Sequence, residues 1–189
     1  MTTVALFGGS FNPPHVAHQL VGLFVLETAP VDALWLVPTW RHAFGKELAP
    51  YEDRVAMCEL AIAALGPRAR VSRAEEEVAA ARGDVSRTLH TLEHLEARHP
   101  GTRFRLVVGA DILGETEKWY RWDEVVARAP LIVIGRAGYP APPGALVSDV
   151  EMPRISSTEV RAQLARGDDA LPLLPRSVMG YIAGRGLYR

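Results

Sequence analysis

With a single cysteine, Cys58, the 189-residue sequence cannot form an intrachain disulfide, which fits a reducing compartment. No apolar run comes near the roughly 18 residues that a membrane helix needs. The start, MTTVALFGG, lacks the charged n-region of a secretory signal. A soluble, cytoplasmic protein with no membrane partner is expected. Charge of one sign is not in excess either: 21 Lys and Arg stand against 22 Asp and Glu, for a net charge of −1. That balance gives no reason to expect nucleic acid as a partner, because general affinity needs a concentrated basic surface. Internal repeats are missing as well. What is there is an ordinary globular composition, 48% apolar, in a length that suits one domain over residues 1–189 with a substantial core.

Short apolar runs alternate with amphipathic stretches. Val4–Phe7 stops at Gly8-Gly9, Ala33–Val37 at Pro38, Phe104–Val108 at Gly109 and Leu131–Ile134 at Gly135, with a weaker run around Val71. Such runs, partly β-branched and closed by a breaker, predict buried parallel strands. Helical patterns lie between them. The first carries Leu20, Leu23, Phe24 and Glu27. The second spans about Tyr51 to Leu65, with Val55, Cys58, Leu60 and Ile62, and the third carries Leu89, Leu92 and Leu95. The alternation predicts an α/β fold with a parallel sheet. The proline- and glycine-rich Gly138–Gly144 reads as a stiff loop. It precedes an edge strand at Leu146–Val150 and C-terminal helices near Ser157–Arg166 and Pro175–Ala183.

The first strand runs into GGSFNPPHVAH, residues 8–18. Two glycines allow a tight turn and a close backbone approach to a ligand. The prolines suit the first turn of a helix, whose N-terminal amides and dipole favour an anion. His15 and His18, three apart, fall on one face of that turn and can donate hydrogen bonds to phosphate. An H-x-x-H is also compatible with a surface pair or half a zinc site, although zinc needs further ligands and no other Cys or His pair has a suggestive spacing.

Far along the chain, ISSTEVR at Ile155–Arg161 opens a helix. Ser156 and Glu159 have capping-box spacing, and Ser157, Thr158 and Arg161 surround its positive end. In the middle, RLVVGAD places Gly109 and Asp111 at the carboxyl end of the fourth strand. In a doubly wound sheet, strands one and four flank the point where ligands bind. A carboxylate there can accept ribose hydroxyls, or it can cap the next helix. The aromatic group Trp119, Tyr120 and Trp122 follows.

GGSFNPPHVAH resembles the GGxFxPxHxxH signature of the HxGH nucleotidyltransferases, with Asn12 where Asp is frequent and Ala17 where Gly usually precedes the second His. ISSTEVR resembles the ISSTxxR motif of the same superfamily. GAD, the Trp119-Tyr120 pair, LIVIGRAGY and VMGYIAGRGLYR look like the nicotinate mononucleotide adenylyltransferases in particular. SRTLHTL at Ser86–Leu92 is similar to their YTxxTL segment, with Arg87 in place of Tyr and His90 in place of a common Asp. RHAFGK at Arg41–Lys46 stands where they have PPHK.

The resemblance implies a Rossmann-like, doubly wound single domain with C-terminal helices. It implies transfer of AMP from ATP to nicotinate mononucleotide, giving deamido-NAD and pyrophosphate, a step of NAD biosynthesis. Carried over residue by residue, it implies catalytic groups at His15, His18 and Arg161. ATP contacts fall at Gly8, Gly9, Ser10, Phe11, His18, Gly109, Asp111, Ser157, Thr158 and Arg161. Lys46, Thr88, Trp119 and Tyr120 would bind the mononucleotide, with His42 and Lys46 as phosphate contacts. The acceptor phosphate has its second pKa near 6, so it is a nucleophile at pH 7 without a general base. Positioning and charge neutralisation then carry the reaction. Mg²⁺ would be held mainly by substrate phosphates and water and not by a protein metal site. Adenylylation of nicotinamide mononucleotide or phosphopantetheine, a nucleotide sensor without catalysis, and a zinc hydrolase remain open, as does a homo-oligomer.

Overall fold

The computed structural model describes residues 1–41, 47–83, 87–135, 138, 140–168, 170 and 172–189. Six parallel strands form one sheet: β1 (Thr3–Gly9), β2 (Ala33–Pro38), β3 (Ala69–Val71), β4 (Arg103–Gly109), β5 (Leu131–Ile134) and β6 (Leu146–Ser148). Their order is β3-β2-β1-β4-β5-β6. Val4, Ala5 and Leu6 of β1 and all four residues of β5 are buried, as a parallel sheet covered on both faces demands. The α/β sheet expected from the alternation is thus present, and the expected edge strand is its outermost member. Because β1 lies between β2 and β4, the chain reverses its direction of travel across the sheet at β1 and β4. The crevice beyond their carboxyl ends is where such a fold binds ligands.

Seven helices accompany the sheet among the described residues: α1 (Val16–Thr28), α2 (Tyr51–Ile62), α3 (Ala74–Arg82), α4 (Thr88–Arg98), α5 (Trp122–Arg128), α6 (Ser157–Ala165) and α7 (Arg176–Arg185). Leu89, Leu92 and Leu95 of α4 are buried against one face of the sheet. One expectation needs correction. Pro13 and Pro14 do not lie in the first helical turn, because α1 begins at Val16 with His15 as its N-cap. The buried stripe of α1 is Ala17, Gly22, Val25 and Leu26, whereas Leu20 and Leu23 are exposed. The helix comes so close to the sheet that a Cβ on Gly22 would stand 2.9 Å from Leu34, so small residues face inward.

A third apolar cluster joins the C-terminal helices to the rest. Met57 and Ala61 of α2 pack with Val160 of α6 and Val178 and Ile182 of α7. The contact also has polar ties: Asp53 on α2, 3% exposed, accepts from the Tyr181 hydroxyl (2.8 Å) and from Arg185 Nε (3.1 Å). This docking brings α6 to the β1–α1 turn.

Candidate active site

Gly8 and Gly9 end β1, and beyond their tip the sheet opens into a cavity of about 400 Å³. Gly8, Gly9, Thr39, Glu75, Thr88, Thr91, Gly109, Asp111 and Trp119 are among its lining residues. It therefore sits at the reversal point between β1 and β4. A Cβ on Gly8 would meet nothing within 4 Å, so the missing side chain leaves the mouth open to a ligand. Gly109 serves a different purpose. A Cβ there would lie 2.4 Å from Asp111 Oδ1, so glycine is what lets the Asp111 carboxylate fold back beside the strand end.

Trp119 lines the cavity with its ring edge-on to Trp122, centroids 5.3 Å apart. Thr88 reaches it from the first residue of α4. Tyr120 does not line it. Its ring is exposed, with the Arg87 guanidinium 4.3 Å from the ring centre. His42, Lys46 and Ser86 lie outside the described residues.

The two sequence motifs meet. The Ser157 hydroxyl donates to the Pro13 carbonyl (2.9 Å), and Arg161 donates to the Asn12 carbonyl (2.7 Å) and to Thr158 Oγ1 (3.3 Å). Asn12, 2% exposed, is held in turn by its Oδ1, which accepts from Ala49 N–H (3.1 Å) and the Tyr188 hydroxyl (2.7 Å). Residues at both ends of the chain thus fix one loop. Ser156 caps α6 by accepting the Glu159 amide (3.1 Å), as its spacing predicts. Thr158 is exposed at that helix end, and among the described residues no carboxylate pairs with Arg161. The positive end of α6 and an uncompensated guanidinium therefore lie beside the β1–α1 turn, a favourable place for an anion. The first amide of α1 adds little, since Val16 N–H already donates to Leu173 O (2.9 Å).

His15 and His18 stack with centroids 3.7 Å apart. His18 Nδ1 accepts the His15 backbone N–H (3.0 Å). This acceptor role assigns the neutral-ring proton to Nε2, leaving His18 a donor. Burial, and secondarily the neighbouring His15, holds the His18 pKa well below its ordinary value, and burial lowers that of His15 to about 4. Both rings are neutral at pH 7 in the free protein. Phe11 is 2% exposed and meets the His18 ring edge-on at 5.0 Å. It braces the histidine, and Ser10, half-buried, precedes it at the turn.

Two residues of the site were not signalled by the sequence. Arg54, 1% exposed, donates to the carbonyls of Ala49 (3.0 Å), Ser10 (2.9 Å) and Trp40 (3.4 Å). It ties the β1–α1 turn to the segment after β2. Glu75, in the first turn of α3, lines the cavity and accepts the Trp40 amide (2.9 Å). Among the described residues no three His, Cys, Asp or Glu side chains converge as a metal cage, and no helix is long and apolar enough to cross a membrane.

A cytidylyltransferase-like family model matches residues 6–163. A protein of Anaeromyxobacter dehalogenans named "Probable nicotinate-nucleotide adenylyltransferase" is 55% identical over 98% of this chain and 96% of its own. One of the same name from Myxococcus xanthus is 40% identical over 98% and 94%. In three dimensions the chain is similar to the Plasmodium falciparum nicotinic acid mononucleotide adenylyltransferase complexed with NaAD. The TM-score is 0.80 at 19% identity, covering 100% of this chain and 98% of that one, a likeness of fold. The chain belongs to the cytidylyltransferase-like family and, within it, to the nicotinate-nucleotide adenylyltransferases.

Proposed function

We infer that this protein transfers the adenylyl group of ATP to the phosphate of nicotinate mononucleotide, releasing pyrophosphate and forming deamido-NAD. The observation that carries the reading is the junction of the two motifs: Arg161 and Ser157 of α6 hydrogen-bonded to the loop that holds His15 and His18. Around it, one crevice combines sites for three parts of the substrates. The β1–α1 turn and the start of α6 suit a triphosphate. Asp111 suits a ribose, and the cavity with Trp119 and Thr88 suits a flat pyridine. Cationic rings gain from an aromatic face.

Chemically, the acceptor phosphate is already largely dianionic at pH 7 and attacks the α-phosphorus directly. The barrier is the approach of two anions, so the protein's task is alignment and neutralisation. Arg161 supplies a permanent charge, and the α6 amides add partial positive charge. His18 supplies an Nε2–H donor. His18 does this as a neutral ring, because its Nδ1 is held as the acceptor of the His15 backbone N–H. Mg²⁺ brought by ATP would be held mainly by the substrate's phosphates and water and would neutralise the charge of the departing pyrophosphate. One domain over residues 1–189 and a cytoplasmic setting complete the proposal. The test is a pyrophosphate-release assay with ATP, Mg²⁺ and a panel of mononucleotides. Release with nicotinate mononucleotide that needs Mg²⁺ is expected. ATP binding with no release above the blank for any acceptor would instead make the protein a nucleotide sensor.

A further inference from the structure

Glu75 puts a carboxylate into the cavity that the reading above gives to the pyridine. It opens α3 and lines the same cavity as Thr88, Asp111 and Trp119. One oxygen accepts the Trp40 amide at 2.9 Å, and among the described residues no Lys or Arg pairs with it. Two ionised carboxylates cannot share a small, partly dry cavity without repulsion. A carboxylic acid facing a carboxylate, however, makes a strong hydrogen bond. A carboxamide reverses the demand, because its NH₂ needs an acceptor.

We propose that Glu75 chooses between pyridine substrates by its own protonation: as an acid it donates to the substrate carboxylate, and as a carboxylate it accepts from a carboxamide. The inference rests on the adenylyl-transfer reading above and adds the group that sets acid against amide. Burial raises the Glu75 pKa to about 7, against the opposing pulls of the Trp40 hydrogen bond and the Arg54 charge. The side chain therefore changes state in the working range. Other charged or titratable groups around it are Arg54 and Tyr51 on α2, Arg73 and Glu76 in its own turn, and Asp111 across the cavity. From α4 the lining receives, among the described residues, Thr88, Thr91 and Leu92. The acid and the amide carry the same phosphate and ribose, so effects on those parts cancel in their ratio, and comparison with Glu75→Gln separates Glu75 from the charged groups around it.

With a pKa near 7, the protonated share of Glu75 falls from about nine-tenths at pH 6 to about one-tenth at pH 8. The acid loses its donor as pH rises while the amide gains its acceptor. The ratio of kcat/KM for nicotinate over nicotinamide mononucleotide should therefore fall at least about tenfold across that range. In Glu75→Gln the side-chain oxygen still accepts the Trp40 amide and the NH₂ donates at every pH, so the ratio should stay flat. A second readout is calorimetric proton uptake at pH 7.5, compared across buffers of different ionisation enthalpy. The acid should bind with uptake of a proton by the wild type and without uptake by E75Q, and the amide without uptake by either. A flat wild-type ratio, or the same slope in E75Q, overturns the proposal while leaving adenylyl transfer intact. Turnover of neither mononucleotide overturns both.

Discussion

Replacing Arg54 by methionine tests how the site is held. The guanidinium is 1% exposed and has no carboxylate partner among the described residues. Its partners are three backbone carbonyls, two at 2.9–3.0 Å and one at 3.4 Å. Hydrogen bonds from a charged donor contribute roughly 1.5–3 kcal/mol each. The two short ones therefore total about 3–6 kcal/mol, and the long one adds little. Against this stands the cost of keeping a cation out of water, several kcal/mol per ion, which the apolar variant no longer bears. If desolvation dominated, Arg54→Met would be neutral or stabilising. Here the carbonyls of Ser10, Trp40 and Ala49 would lose their donor in a closed interior, at about 1–3 kcal/mol for each one left unsatisfied. We expect a net loss of about 2–4 kcal/mol, or a Tm lower by roughly 5–15 °C for a chain of this size. Because Ser10 belongs to the β1–α1 turn, KM for ATP should rise as well. Urea unfolding and steady-state kinetics on the same preparation give both numbers. Stability within about 0.5 kcal/mol of wild type, inside the range of an ordinary surface change, would refute the reasoning.

His18→Ala should lower kcat about 100- to 1,000-fold, the usual cost of one transition-state donor, with a much smaller change in ATP affinity by calorimetry; a fully active variant would return His18 to a packing role. Gly109→Ala should displace Asp111 and raise the ATP KM about 10- to 100-fold, the equivalent of a charged hydrogen bond, and an unchanged KM would remove Asp111 from the site. Acid stability should show two opposed groups. His15 has its pKa lowered from 6.5 to about 4, so its contribution is full above pH 6.5 and is lost on acidification, up to about 3 kcal/mol. Glu75 has its pKa raised from 4.5 to about 7, so its contribution is full below pH 4.5 and is lost as pH rises through 7. Between pH 7 and pH 5, urea unfolding should therefore find a steeper acid loss in Glu75→Gln than in wild type and a shallower one in His15→Asn; parallel profiles would contradict both assignments.

Much of this fold was legible because parallel strands announce themselves. Val4–Phe7, Ala33–Val37, Phe104–Val108 and Leu131–Ile134 are apolar runs stopped by breakers, and each lies within an observed strand. The Leu89, Leu92 and Leu95 stripe marked α4 in the same way. The helix α3, AEEEVAAAR, gave no signal, because only Ala74 and Val78 are buried in it and alanine and glutamate carry no apolar period. The sequence marked α1 as a helix but not its buried face, which close packing against Leu34 gives to Ala17 and Gly22. In the site, the glycines, the histidine pair and the α6 cap were readable, since each works through local backbone geometry. Arg54 and Glu75 were not. An arginine and a glutamate on helices look like solvated charges until the fold places carbonyls around one and a cavity beside the other.

The central claim is that the protein adenylylates the acid form of the pyridine mononucleotide. Its most direct measurement is kcat/KM for nicotinate and nicotinamide mononucleotides, each with ATP and Mg²⁺, at pH 6.5. One buried donor or acceptor left unsatisfied by the wrong substrate costs roughly 1–3 kcal/mol, so the acid should be preferred by at least about tenfold. Equal values, or a preference for the amide, would contradict the account.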